Sequence, residues 1–215
     1  MATPPQRPGF PARLDLGRGN ATAGAAPRPA VPRPAPARAA GAEGTAPINA
    51  PAPVRDTIPA RARMVQQLMA EGISDPQVLR AMGSVDRHRF VDSALVTQAY
   101  EDTALPIGLG QTISKPSVVA RMLELLMQGG LKGDNGKLGR VLDICSGCGY
   151  QAVVMAQIAS EVYSIERLRD LHDKARANLR PMRIANVHLI LGDVISGFPS
   201  GAPYAGIVAA AGGEA

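Results

Sequence analysis

"RVLDICSGCGYQAVVMAQIASEVYSIER" runs from Arg140 to Arg167. It reads as a short apolar strand (RVLDIC), a turn carrying glycines, a helix (GYQAVVMAQIA) and a second strand (EVYSIE). These strands are more continuously apolar than a half-exposed strand, which marks them as covered on both faces. The pattern then repeats. RLRDLHDKARANLRPM puts Leu168, Leu171, Ala175 and Leu179 on one side of a helix, NVHLILGD is a third strand and YAGIVAAAG a fourth. Strands of this kind alternating with helices predict an α/β fold built on a parallel sheet.

The turn after the first strand supports two chemistries. Cys145 and Cys148 form a C-x-x-C pair at a strand-to-helix junction, where a low-pKa redox thiol also sits. Gly147 and Gly149 instead suit a tight turn that lets a nucleotide approach the backbone. Zinc fits poorly, because the chain has only two Cys and His88, His172 and His188 show no ligand spacing. Two further carboxylates favour the nucleotide. Glu166 ends the second strand, where it can accept hydrogen bonds from a ribose diol, and Asp193 ends the third, in LGD. In the predicted register all three strand ends converge on one crevice.

Upstream, ARARMVQQLMAEGI places Met64, Val65, Leu68 and Met69 at helical spacing, with Gly72 as a stop. SDPQVLRAMGSV follows as a helix with Ser74 or Asp75 as cap and Pro76 in its first turn; Val78, Leu79 and Met82 form its apolar face. The stretch DRHRFVDSALVTQAYEDTALPIGLGQTIS reads as a long irregular loop, a kind of segment that often carries function. KPSVVARMLELLMQGG is a helix from about Pro116 to Met127. Ser114, just before it, has the spacing of an N-cap; Glu101 and Asp102 read as a solvated pair.

Three of these pieces together, YEDTALPIGLGQTISKPSVVARMLELL, VLDICSGCGYQAVVMAQIASEVYSIER and NVHLILGD, resemble the protein-L-isoaspartate O-methyltransferase family. The likeness runs from about Met64 to Ala210, and LPIG-x-GQTIS and VYSIER are distinctive to that family. It implies a Rossmann-like class I methyltransferase fold with S-adenosyl-L-methionine as cofactor. Asp143, Ser146, Gly147 and Gly149 would form the cofactor loop, Glu166 would take the ribose hydroxyls and Asp193 would lie by the adenine. Gln111, Thr112 and Ile113 would line the substrate cleft and Ser114 would be the catalytic residue. The implied reaction is methyl transfer to the free carboxylate of an L-isoaspartyl residue in a damaged protein. The methyl ester then closes to a succinimide, whose hydrolysis returns some normal aspartate. A carboxylate is already ionised near neutral pH, so alignment of oxygen, methyl carbon and sulfur is the main requirement. The expected partners are isoaspartyl peptides and proteins, and the family implies a monomer.

The chain departs from the family pattern in three places. Cys145 stands where the loop normally has glycine, and Ala205 follows Tyr204 where an aspartate is usual. The sequence also holds only the first four strands of a sheet that reaches seven in the family, which would leave the fourth as an apolar edge open to pairing or aggregation. These departures keep two other readings open: a truncated or degenerate non-catalytic relative, and a class I methyltransferase with another acceptor.

Composition bounds the remainder. Residues 1–56 are rich in Pro, Ala, Gly and Arg and predict a disordered tail, followed by a helical and substrate-loop region over 57–135 and the start of the cofactor domain over 136–215. Residues 1–55 contain seven Arg against Asp15 and Glu43, which accounts for the whole formal net charge of +5. The folded part is therefore balanced, and no nucleic-acid groove is expected. Weak adhesion of the tail to acidic partners is the functional alternative to a solvated segment. The Arg-rich, acid-poor start faintly resembles a transit peptide, but its frequent Pro would break the amphipathic helix such a peptide needs. No run approaches the ~18 apolar residues of a membrane span, and the start lacks an apolar signal core. Cytoplasmic residence is the expectation.

Overall fold

The computed structural model describes residues 57–210. The predicted tail over 1–56 lies outside the described residues. The chain begins with helices α1 (Thr57–Ala70) and α2 (Pro76–Ser84), passes through two short 3-10 turns at Arg87–Phe90 and Ser93–Gln98, and forms a hairpin of β1 (Leu105–Gly108) and β2 (Gln111–Ile113). Helix α3 (Pro116–Gly129) leads into the sheet. Its strands β3 (Leu138–Ile144), β4 (Ala159–Glu166), β5 (Val187–Leu191) and β6 (Gly206–Ala209) are interleaved with α4 (Tyr150–Ile158) and α5 (Arg169–Leu179).

The sheet is parallel throughout, in the order β5-β4-β3-β6. From β3 the chain steps outward to β4 and β5, then returns to place β6 on the other side of β3. The reversal opens a crevice at the carboxyl ends of β3 and β6, where open α/β sheets bind ligands. Eight of the nine residues of α4 are buried, because the helix is covered by the sheet and by α2. A helix apolar all round is stable only in such a place. Through α4 one continuous core runs from Met64, Leu68, Met82 and Leu123 of the helical layer to Val141 and Val162 of the sheet.

Several local expectations are corrected. Met69 is 57% exposed, because the buried stripe of α1 runs through Met64 and Leu68. Of the two candidate caps for α2, Asp75 does the work, accepting from the Gln77 and Val78 N–H groups. The long irregular stretch contains the two 3-10 turns and the hairpin. The hairpin was hidden by length: its strands are four and three residues long, too short for a visible alternation. Leu168 immediately precedes α5 instead of lying within it, and residues 180–182 tighten into a 3-10 turn. The expected apolar edge is present. Ile207 of β6 is 56% exposed beside Leu125 of α3, above a groove also lined by Met122 and Leu126.

Candidate functional site: a cavity between the β3 loop and the hairpin

The loop after β3 makes its turn with left-handed residues at alternate positions: Cys145 (φ 68°), Gly147 (φ 55°) and Gly149 (φ 86°). Gly149 is required twice over, since a Cβ there would lie 2.8 Å from Leu179 Cδ1 and 3.2 Å from Ala175 Cβ of α5. Cys145 is the anomaly: a side chain in a conformation that only glycine adopts without strain. The loop is fastened to β4. Cys145 and Ser146 both donate their N–H groups to the Ile165 carbonyl, at 3.0 and 3.1 Å.

Beneath the turn lies a buried polar chain. Asp143 is fully buried and accepts hydrogen bonds from Ser164 Oγ and Gln151 Nε2, each at 2.7 Å. Ser164 in turn bonds the Ser146 hydroxyl. Burial pushes the Asp143 carboxyl up, against the pull of these two donors. Glu166 is 5% exposed and accepts from the Gly147 N–H through one oxygen and the Leu168 N–H through the other, both at 2.9 Å. Each oxygen keeps a lone pair for a further donor. The strand-end carboxylate thus holds the loop in place and still offers acceptor sites toward the crevice.

Opposite stands the hairpin. Gln111 and Thr112 are exposed, Ile113 is buried and Ser114 is half-buried. All four line one cavity together with Ile107, Cys145, Ser146, Gly147, Glu166 and Ala210. The structure therefore brings together most of the residues singled out in the sequence. Gly149 holds the turn from beneath. Asp143 lies under the loop, committed to Ser164 and Gln151, and is outside the cavity lining. Asp193 sits on an exposed turn after β5, where its Oδ1 accepts from the Ile195 N–H at 3.0 Å; it too is away from the lining.

Ser114 is not the cap of α3. That position belongs to Lys115, and the side-chain capping comes from Asp102, which accepts from the Ser117 N–H and hydroxyl at 2.8 Å each. Asp102 is therefore no solvated partner of Glu101. Burial would raise its carboxyl, but the two Ser117 donors and Lys115 outweigh it and hold the group below its ordinary range. Two cations fix the hairpin through main-chain carbonyls. Lys174 Nζ donates to Ile107 O and Arg87 Nη2 to Ser114 O, both at 2.8 Å. Neither contact has a signal in sequence, since their partners are backbone atoms 67 and 27 residues away.

The thiols do not form a reactive pair. Cys148 is 2% exposed, and burial pushes its thiol up; burial, helped by Glu166 and Asp143, does the same to Cys145. An environment that opposes the thiolate opposes dithiol chemistry.

A glycine-bearing loop at the switch point of a parallel sheet, with a strand-end carboxylate beside it, defines a Rossmann-like protein of the kind that binds nucleotide cofactors. Residues 60–215 match the family described as Protein-L-isoaspartate(D-aspartate) O-methyltransferase. The chain belongs to that family. It is 61% identical over 155 residues to a protein-L-isoaspartate O-methyltransferase of Leptothrix cholodnii, an alignment covering 72% of this chain and 54% of that protein. With the Methylibium petroleiphilum enzyme of the same name it shares 53% identity over 209 residues, 96% of this chain and 75% of the relative. Beside the Leptothrix protein, then, this chain spans about half the relative's length.

Among solved structures, a protein-L-isoaspartate O-methyltransferase superposes with a TM-score of 0.61 at 30% identity, over 71% of this chain and 48% of that one. A Plasmodium falciparum protein assigned to the same family, solved in complex with S-adenosyl-L-homocysteine, gives 0.51 at 26% identity, over 62% and 63%. The fold is thus the class I methyltransferase fold, as the sequence predicts. No helix among the described residues is long and apolar enough to cross a membrane.

Proposed function

We propose that this chain transfers a methyl group from S-adenosyl-L-methionine to the free carboxylate of L-isoaspartyl residues in damaged proteins. One observation carries the reading: Ser114 of the hairpin and Glu166 beside the β3 loop line the same cavity. Family membership and the named relatives support the choice of acceptor.

The cavity suits the cofactor. Its floor is a glycine turn at a strand end, and a Cβ at Gly147 would press on Ile107 Cδ1 at 3.2 Å, so the turn is as narrow as packing permits. Ser146, Gly147 and Glu166 would hold the nucleoside part, with Glu166 accepting from its hydroxyls. The cofactor supplies an activated methyl group on a cationic sulfur. The protein supplies placement. Ser114 can donate its hydroxyl proton to one oxygen of the acceptor carboxylate and so orient the other toward the methyl group. Gln111 and Thr112, exposed at the rim, would meet the peptide flanking the acceptor. No strong base is needed, because the acceptor is ionised near neutral pH. The neighbouring peptide nitrogen then attacks the ester carbonyl and methanol leaves. The resulting succinimide opens with water, in part to aspartate.

Asp193 by the adenine remains part of this proposal on the family resemblance alone. Two unpaired cysteines suit a reducing compartment and support a cytoplasmic setting. The test is methyl transfer from labelled S-adenosylmethionine to an isoaspartyl peptide, with the matching aspartyl peptide as control. Label in the isoaspartyl peptide alone is the expected result. Label in neither refutes the activity and leaves a non-catalytic relative; label in both points to another acceptor.

A further inference from the structure

Arg87 is the one arginine sealed completely inside the described core, with 0% exposure. No Asp or Glu lies within ion-pair distance of it among the described residues. An unpaired buried guanidinium is expensive, and an aliphatic side chain of similar volume would pack there at lower desolvation cost. Its contacts show what it does instead. Nε donates to Ala99 O and Nη2 to Ser114 O, both at 2.8 Å. Those carbonyls are the entry and the exit of the excursion over 99–114 that carries the hairpin. Cζ of the same guanidinium lies over the ring of Tyr150, 4.8 Å from its centroid; Tyr150 is the first residue of α4 and the end of the β3 loop.

We infer that Arg87 is the positioning residue for the methyl acceptor: one planar side chain clamps both stems of the substrate hairpin and registers them against the cofactor loop. This rests on the methyl-transfer reading above. The clamp needs a fork. Two nitrogens of one rigid plane reach two carbonyls while its Cζ sits over an aromatic ring, and a lysine has a single nitrogen at its tip. The charge also lacks an ion-pair partner, and the Asp102 carboxylate favours it only from a distance. Burial pushes the Tyr150 phenol up to about 12, so it stays neutral. Its hydroxyl lies close enough to favour the cation, yet Arg87 Nη1 has no hydrogen-bond partner of good geometry. The buried guanidinium thus lies directly behind the main chain of Ser114, held to its carbonyl.

The test is a double-mutant cycle of Arg87→Lys and Ser114→Ala. It is read as kcat and KM for an isoaspartyl peptide, as cofactor affinity, and as peptide affinity by calorimetry with S-adenosyl-L-homocysteine present. R87K is expected to lower kcat/KM for the peptide about tenfold, the loss expected from removing the Ser114 hydroxyl itself, with cofactor affinity unchanged. In the S114A background it should add almost nothing, because both changes remove the same placement. A purely structural Arg87 predicts the opposite: a lower Tm, wild-type peptide kinetics in the folded fraction, and additive effects. That result overturns the inference. If R87K does not fold, R87Q, which keeps amide donors on a shorter neutral chain, is read in the same cycle. Wild-type protein that binds peptide but transfers no methyl group sinks the methyl-transfer reading alone, and the cycle is then decided on peptide affinity. Wild-type protein that binds no isoaspartyl peptide sinks both.

Discussion

The two walls of the cavity are built by opposite means. The cofactor wall is wired from within: Asp143, Ser164, Ser146 and Gln151 form a buried side-chain chain, and Glu166 ties two backbone N–H groups with its two oxygens. The hairpin wall is held from behind, by Arg87 and Lys174 grasping main-chain carbonyls, while Gln111, Thr112 and Leu109 face solvent. The first arrangement fixes the shape for one small molecule. The second fixes only the path of the backbone and leaves the rim free to meet many peptides. Under the proposed methyl-transfer reading that division would suit one fixed cofactor and varied peptide acceptors, because a rigid site lowers the ordering cost of binding only for the shape it is built for.

The comparison breaks most readily at Glu166. Replacing it by Gln removes a charged acceptor from two loop N–H groups and from the cofactor hydroxyls. Cofactor affinity should fall by about 2 kcal/mol, roughly 30-fold, in a titration followed by calorimetry. Unchanged affinity would mean that the loop holds itself. Ser114→Ala probes the other wall. It should lower methyl transfer to the isoaspartyl peptide about tenfold while cofactor affinity stays at the wild-type value, since one hydrogen bond to a charged acceptor is lost.

Asp102→Ala sharpens the contrast by removing the cap on the helix behind the hairpin, at about 1 kcal/mol of stability near pH 7. Because the folded state holds this carboxyl below its ordinary range, the stabilisation is complete above the unfolded value near ~4 and is lost as pH falls through the lower folded value. Wild-type and variant melting temperatures should therefore converge in acid; a constant gap would contradict the assignment. The smallest effect is expected at Cys145. Cys145→Gly relieves a left-handed side-chain residue and should stabilise the protein by roughly 0.5–1 kcal/mol in denaturant melts, the strain relieved being partly offset by the entropy of glycine. A loss of stability would show that the thiol packs favourably in the cavity wall.

Most of the cofactor wall was legible in the sequence. Its elements are continuous, strand then loop then helix then strand, so Gly147, Gly149 and Glu166 could be placed by counting along one stretch. The hairpin wall was recognisable as a motif but not as a structure. GQTIS could be singled out, yet its strands are too short to show a period, and the groups that hold it reach backbone atoms far away in the chain. Asp143 belongs to the motif read for the cofactor loop, but its burial beneath that loop depends on how β3, β4 and α4 meet. Asp193 was read as converging on the crevice because it ends a strand; the chain turns after Leu191 and leaves the carboxylate in solvent.

Apolar continuity and glycine placement by themselves determined a parallel α/β sheet and the turn that opens it, because burial on both faces and left-handed backbone are local demands written in residue type. The tertiary structure alone decided that Asp102 caps α3, that Ser114 is free of that task, and that a buried arginine joins the two walls. Those are contacts to backbone carbonyls and N–H groups, which every residue carries, so no side-chain pattern along the chain could announce them.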